Sequence, residues 1–257
     1  MSLPSHPLPR LPLGHRAGLL AAWGSAFLTG RAGYDQVLAA VTGELTHRVS
    51  GLPGSAAEVP LGWALSGWRE RGATALRLVL PIPGDPRGLP GPSAFGTAAM
   101  AAGEAVHGAG LGLVPELARH GSAVGSAAWS VCWQAYPEMA EPAADPLSVA
   151  EAEHDLTVAL RAAASTLADL DRASWQPELA ADLSRARQVG APTLPPGHPP
   201  RAVRLLAQAD RLGAMLQLAD AHVRDAAAKR GVGPEAHAAY RALWTAIRRA
   251  RLAGYNA

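Results

Sequence analysis

The second half of this chain repeats apolar residues at alternating intervals of four and three, which is the spacing of one face of an α-helix. Three segments carry the pattern: Leu156, Leu160, Ala163, Leu167 and Leu170; Leu205, Ala209, Leu212, Leu216, Ala219, Val223 and Ala226; and Ala236, Tyr240, Leu243, Ile247 and Ala250. Such stripes are buried against one another, and the short connection at 231–233 favours an antiparallel pair. The pattern therefore predicts an antiparallel helical bundle over 145–254, with Asp145 as its first N-cap and a shorter helix over 177–188.

The first half combines helical segments with short apolar runs that indicate strands. Helices are predicted over 16–28, 34–43, 60–71 and 93–107, and strands over 75–80, 111–114 and 127–136. The predicted fold class is therefore α+β and predominantly helical, with a small three-stranded sheet and helices over 16–137 and the bundle over 145–254. A proline-rich segment, residues 1–15, precedes them. The junction at 137–146 is short, so one continuous domain and two domains both stay open.

Composition narrows the class of protein. Of the 257 residues, 49% are hydrophobic and 17% are charged, so the chain can bury a core. Its single cysteine, Cys132, excludes an internal disulfide, and its setting indicates an inert thiol. The first 14 residues lack the pattern of a secretory leader, and no apolar run reaches the ~18 residues of a membrane span. We therefore expect a cytoplasmic protein that does not enter the membrane.

The loop between the first predicted strand and the following helix is the best candidate for a ligand site. Its candidate binding residues are Asp85, Arg87, Gly88, Gly91 and Ser93, and the free amides of the helix that it opens attract anions. Prolines at 83, 86, 90 and 92 remove four amide donors, and no nucleotide-binding glycine motif occurs. Two interpretations stay open: a rigid structural or protein-contact loop, and a site that binds or converts a small anionic ligand.

The C-terminal segment is strongly basic. Residues 201–257 carry ten basic and four acidic side chains, whereas residues 145–200 carry four basic and eight acidic ones. The predicted basic surface consists of Arg201, Arg204, Arg211, Arg241, Arg248, Arg249 and Arg251. Arginine matches phosphate geometry, so nucleic acid is one interpretation of this surface. An acidic protein partner and ion pairing with the acidic helices of the same bundle are the other two.

Catalytic and metal-binding motifs are missing from the sequence. The nine histidines form no His-x-x-x-His pair, the single cysteine excludes a Cys cluster, and Gly-x-Ser-x-Gly does not occur. No metal and no cofactor are predicted. The leading hypothesis is a non-enzymatic cytoplasmic interaction or regulatory protein that has another protein as its partner. Nucleic-acid association and a small-ligand binder or enzyme at 83–93 are the alternatives, and a homo-oligomer stays open.

The segment from Leu76 to Ser93 also carries a family resemblance. It joins an apolar strand to Pro-Ile-Pro-Gly-Asp-Pro and Gly-Leu-Pro-Gly-Pro, and a small-residue helix with Gly103-Glu104-Ala105-Val106 follows. With Gly112-Leu113-Val114-Pro115 and the linker over 194–201, this pattern resembles conserved hypothetical proteins of high-GC actinobacteria. The resemblance covers most of the chain and implies a source, but it implies no activity, cofactor or site residue.

Overall fold

The computed structural model describes residues 15–120, 128–137, 140, 147–170, 192–230 and 234–257. The helices within these ranges are α1 His15–Leu28, α2 Tyr34–Thr42, α3 Gly62–Glu70, α4 Ala94–Ala102, α5 Val149–Leu170, α6 Pro200–Arg230 and α7 Pro234–Tyr255. The strands are β1 Thr46–Ser50, β2 Val59–Pro60, β3 Arg77–Val79, β4 Ala105–Gly108, β5 Leu111–His120 and β6 Ala128–Pro137. The α+β class is confirmed.

The strands form one mixed sheet in the order β2-β1-β6-β5-β4-β3. β1 and β6 are parallel, and every other neighbouring pair is antiparallel. The prediction of a small three-stranded sheet is therefore wrong, because β1, β2 and β4 were not among the predicted strands. β1 has the sequence Thr-His-Arg-Val-Ser, which contains one aliphatic residue, and β2 has only two residues. Neither gives the apolar pattern that identifies a strand in a sequence.

β4 begins inside the segment that was predicted as a single helix over 93–107. Helix α4 ends at Ala102 because Gly103 adopts a left-handed conformation with φ 75°, and its amide donates to the Ala99 carbonyl at 2.8 Å. The chain then enters β4 and turns sharply into β5 through Ala109, which has φ 43°. Gly103 thus ends the helix, and it places Glu104 immediately before β4.

Helices cover the two faces of the sheet unequally. On one face α1 and α3 build the main core with the sheet, and Leu20, Leu65, Trp68 and Trp133 are among its fully buried side chains. On the other face α4 covers the β3–β5 side, where Phe95 and Ala99 are buried in a smaller cluster. The small side chains of α4 allow this close approach.

The helices of the second half share a core of their own. Leu156 of α5, Leu205 of α6, and Leu243 and Ile247 of α7 are buried together. Within the described residues no helix has both the length and the apolar character that crossing a membrane requires. The helix predicted over 177–188 and the predicted N-cap Asp145 lie outside the described residues. α5 begins at Val149, after a hydrogen-bonded pair formed by Ser148 and Glu151.

The end of α7 joins the two halves of the chain. Tyr255 belongs to the core of the sheet, and a Cβ atom on Gly18 of α1 would lie 2.6 Å from its ring. The next residue, Asn256, covers the outer edge of β3. Its Oδ1 accepts from the Leu78 amide at 2.7 Å and its Nδ2 donates to the Leu78 carbonyl at 3.0 Å. The side chain of Asn256 thus replaces a neighbouring strand.

Candidate functional site

A cavity of about 600 Å³ lies at the edge of the sheet where β5 extends past the beginning of β4. We call it the sheet-edge cavity. The start of α1, the end of α4, the start of β4 and the middle of β5 and β6 surround it. Its lining residues are Arg16, Ala98, Ala101, Ala102, Glu104, Val114, Pro115, Glu116, Leu117, Val131, Gln134 and Tyr136.

Arg16 is the unusual residue of this cavity. It occupies the first turn of α1 and is only 8% exposed. Among the described residues, neither its Nε nor its Nη2 has a hydrogen-bond partner. Burial lowers the pKa of the guanidinium, and the negative charge of Glu104 partly offsets this effect. An arginine stays charged in proteins, so a cation with unused donors lines the sheet-edge cavity.

Glu104 is the buried carboxyl group of the same cavity and is also 8% exposed. Its Oε2 accepts a hydrogen bond from the Ala17 amide at 3.1 Å. This amide is one of the donors that the first turn of a helix leaves without a partner, and the helix dipole favours a carboxylate there. Burial holds the pKa of Glu104 above its ordinary value, and the hydrogen bond from the Ala17 amide and the charge of Arg16 offset this only in part.

Arg16 and Glu104 line one cavity without forming an ion pair with each other in the described part of the chain. A third titratable group, His47 of β1, lies close enough to Arg16 to feel its charge. Burial and that charge lower the pKa of His47 to about 4, and its Nδ1 accepts from Nε1 of Trp133 at 3.2 Å. His47 is therefore neutral near pH 7, and it adds no second positive charge next to Arg16.

The predicted ligand loop is tied to the rest of the protein through Asp85. Arg87 donates to both Asp85 carboxylate oxygens, from Nε at 2.8 Å and from Nη2 at 2.9 Å. Arg248 of α7 donates to the same carboxylate and, at 2.7 Å, to the Leu80 carbonyl. The hydrogen bond from Arg87, together with the charge of Arg248, lowers the pKa of Asp85 although burial opposes this. The carboxylate that was a candidate ligand-binding group thus joins the loop to the bundle.

The other three predicted residues of this loop have structural roles. Ser93 is the N-cap of α4, and its Oγ accepts from the Gly96 amide at 3.0 Å. Gly88 and Gly91 have φ of 83° and 79°, and a Cβ on Gly88 would lie 2.7 Å from a methyl carbon of Val79. The structure brings none of these five residues to the lining of the sheet-edge cavity.

The structure also redistributes the predicted basic surface. Arg248 and Arg251 are buried, at 6% and 3% exposed, so the prediction that they belong to a surface is corrected. Arg201 pairs with Glu153, and Arg249 pairs with Asp155 of the same acidic helix. Ion pairs of this kind are expected when a basic helix and an acidic helix of the same bundle lie side by side. Arg204, Arg211 and Arg241 are exposed.

Sequence reasoning did not identify Arg16 or Glu104. The two residues are far apart in the chain and match no motif. One signal was present: each is a lone charged residue next to a wholly apolar segment, Ala17-Gly18-Leu19-Leu20 after Arg16 and Ala105-Val106 after Glu104. A charged residue next to a buried apolar segment lies close to the interior, and where it is buried its charge requires a partner.

Comparison with known proteins identifies relatives of both halves. Residues 17–147 match the family described as Rv1486c-like protein, N-terminal domain, and residues 150–252 match Rv1486c-like protein, C-terminal domain. The chain is 30% identical over 240 residues to the uncharacterized protein Rv1486c of Mycobacterium tuberculosis strain H37Rv, which covers 77% of this chain and 80% of that protein. It is 38% identical over 108 residues to the uncharacterized protein MAV321 of Mycobacterium avium. That match covers 37% of this chain and 35% of that protein. No solved structure matches it. The resemblance to actinobacterial proteins is confirmed.

Proposed function

We propose that this chain, which belongs to the family of Rv1486c-like proteins, is a cytoplasmic, non-enzymatic regulatory protein that binds a small anionic ligand in the sheet-edge cavity. The buried side chain of Arg16 carries the proposal, because two of its nitrogens have no hydrogen-bond partner among the described residues. Burial of an unmet donor costs about 1–3 kcal/mol. Violations of this kind are expected at functional sites, and a bound ligand would supply the missing partner.

The size and the chemistry of the cavity define the kind of ligand. A volume of about 600 Å³ falls within the ~300–1,000 Å³ of small-molecule sites. A guanidinium group donates two parallel hydrogen bonds to a carboxylate or a phosphate. The remaining wall is mostly apolar, with the side chains of Ala98, Ala101, Ala102, Val114, Leu117 and Val131. We infer a ligand that has one acidic group and an apolar part.

The residues around the cavity favour binding over catalysis. Its described lining includes no serine, threonine, cysteine, histidine or lysine. These residue types supply most nucleophiles and many of the general bases of enzymes that work near neutral pH. Binding that changes the contacts of this chain with another protein is the role that fits such a site best.

The two alternatives from the sequence have less support. Nucleic-acid association was based on seven arginines, of which Arg201, Arg248, Arg249 and Arg251 form ion pairs within the chain. A ligand site at 83–93 was based on Arg87 and Ser93, which are engaged by Asp85 and by the Gly96 amide. These paired side chains hold the fold together, which leaves Arg204, Arg211 and Arg241 as the exposed arginines of the predicted surface.

Thermal unfolding of the full chain tests the proposal. The probes are small carboxylates, inorganic phosphate and the twenty protein amino acids, each at millimolar concentration. We expect at least one acid to raise the unfolding midpoint, because a ligand that binds only the native state stabilises it. Arg16→Met should abolish this rise, because the substitution removes the guanidinium group that pairs with the acid, and the midpoint of the free variant shows whether it is folded.

Arg204→Gln is the matched control, because it removes the charge of an exposed arginine on α6 and should leave the ligand-induced rise unchanged. If none of the acids shifts the midpoint, or if the shift persists in Arg16→Met, the sheet-edge cavity is not the site and the proposal fails.

A further inference from the structure

We propose, building on the proposed function, that the ligand of the sheet-edge cavity is a zwitterion whose carboxylate pairs with Arg16 and whose ammonium group pairs with Glu104. An amino acid is the simplest molecule of this class. Three features of the cavity carry the inference: the separation of its two buried charged groups, the balance of charge on its wall, and the free acceptor positions of Glu104.

The first feature is the separation of Arg16 from Glu104. Each side chain is 8% exposed and lines the cavity, yet no salt bridge joins the two within the described residues. Opposite charges attract strongly where water is largely excluded, so two such groups normally meet or acquire partners of their own. A molecule that carries both charges at its own fixed spacing satisfies the two groups where they stand.

The second feature is the balance of charge on the cavity wall. Arg16 is the single cationic side chain of the described lining, whereas Glu104 and Glu116 are acidic. A phosphate dianion next to Arg16 would face two carboxyl groups, and a plain carboxylate would leave Glu104 without a positive partner. An amine without an acidic group would leave Arg16 without a negatively charged partner. Only a ligand with both signs complements all three side chains.

The third feature is the hydrogen bonding of Glu104. The Ala17 amide takes one position on Oε2 at 3.1 Å, whereas a carboxylate offers about four acceptor positions. This contact fixes the carboxyl group against α1 and leaves further positions for the donors of an ammonium group. Glu116 is exposed at the rim, where a negative charge attracts the positive end of an approaching zwitterion.

Isothermal titration of the full chain with the twenty protein amino acids tests this inference. The amino acid that binds most tightly is then compared with two matched analogues: the acid that lacks its amino group and the amine that lacks its carboxyl group. We expect each analogue to bind at least about tenfold more weakly, because one charge-assisted pair is lost. This comparison uses the unmodified protein.

Two variants assign the charges to their residues. Glu104→Gln keeps the shape of the side chain and an acceptor for the Ala17 amide, but it removes the charge. It should weaken amino-acid binding at least about tenfold and leave binding of the deaminated acid unchanged or stronger. Arg16→Met should weaken binding of the amino acid and also binding of the deaminated acid. Glu70→Gln, at an exposed acidic residue of α3, is the control. It should leave the affinity for the amino acid and for the deaminated acid unchanged.

The outcomes separate the two proposals. If the deaminated acid or inorganic phosphate binds as tightly as any amino acid, the ligand is a simple anion and the zwitterion is excluded, while the proposed function stands. If no acid of any kind binds, both proposals fail. A folding defect in Glu104→Gln would not affect the comparison of ligands on the unmodified protein.

Discussion

The Arg251 guanidinium donates a hydrogen bond from Nε to Oδ1 of Asp210 at 2.9 Å, in the interior between α6 and α7. The two side chains are 3% and 4% exposed. A Cβ on Gly213 would lie 2.8 Å from Nη2 of Arg251, so α6 carries no side chain at the point where the guanidinium passes. The two helices are thus matched around one ion pair.

Removing one partner of this pair should destabilise the protein more than removing both. Asp210→Asn leaves the charge of Arg251 buried without its carboxylate, and we expect the free energy of unfolding to fall by about 3–5 kcal/mol. The double variant Asp210→Leu with Arg251→Met replaces the pair with apolar groups. Its free energy of unfolding should fall by clearly less than that of Asp210→Asn. Urea unfolding followed by circular dichroism measures both. Equal losses in the single and double variants would contradict this expectation.

Asn256 should contribute to stability through its two hydrogen bonds to Leu78. Asn256→Ala removes both and should cost about 1–2 kcal/mol, with faster hydrogen exchange at the Leu78 amide as the local sign. Asn256→Asp keeps an acceptor for that amide but sets an oxygen against the Leu78 carbonyl, so it should not restore stability. An unchanged hydrogen-exchange rate of the Leu78 amide in Asn256→Ala would show that the Asn256 side chain does not protect the edge of β3.

Ala109 occupies a backbone conformation that suits other residues better. Its φ of 43° is costly for an L-residue with a Cβ, and Gly110 follows it with φ 74°. Asn-Gly is the preferred sequence for such a two-residue turn. Ala109→Asn should therefore raise the free energy of unfolding by about 0.5–1 kcal/mol, seen as a higher midpoint in scanning calorimetry. Ala109→Val, a branched residue at the same φ, should lower it.

Asp85 should make the stability of the protein depend on pH in the acid range. Its pKa is lowered in the folded protein, first by the hydrogen bond from Arg87 and further by Arg248. A depressed pKa adds stability above the unfolded value of about 3.9, and this contribution is lost as the pH falls towards the folded pKa. Asp85→Asn should thus be less stable than the unmodified protein at pH 7, and the difference should shrink progressively below pH ~4.

Urea midpoints at neutral and acid pH measure this difference. Asp35→Asn, at an exposed position of α2, is the control and should follow the unmodified protein at each pH. A difference between Asp85→Asn and the unmodified protein that stays constant into the acid range would mean that the loss comes from packing and not from the charge of the carboxylate.

Most of the helices could be predicted from the sequence because their apolar residues repeat with the helical period. α5, α6 and α7 follow this period, as do Leu156 and Ile247 in their buried core. The start of α5 shows a missed signal, since Ser148 and Glu151 are three residues apart and form the reciprocal capping pair at Val149. Local patterns of this kind are legible because neighbours in the chain make the contacts.

Contacts between distant residues could not be predicted in the same way. The periodicity of α7 indicates one buried face, yet α7 also contacts the sheet half of the chain, where Arg248 reaches the Leu80 carbonyl. An arginine next to the apolar stripe is therefore buried where an exposed position was expected. The sheet-edge cavity also depends on such contacts, because only the completed fold brings Arg16 of α1 and Glu104, which precedes β4, to the wall of one cavity.

The ring of Tyr255 rests on Gly18, where no side chain intervenes. Two separate family descriptions cover the chain, with a division between residues 147 and 150, but this contact and the burial of Leu206 in the sheet core cross that division. Side-chain packing in the fold therefore crosses the boundary between the two family descriptions. Side chains of the second half complete the core of the first half, so the loss of the second half would expose apolar surface on the sheet.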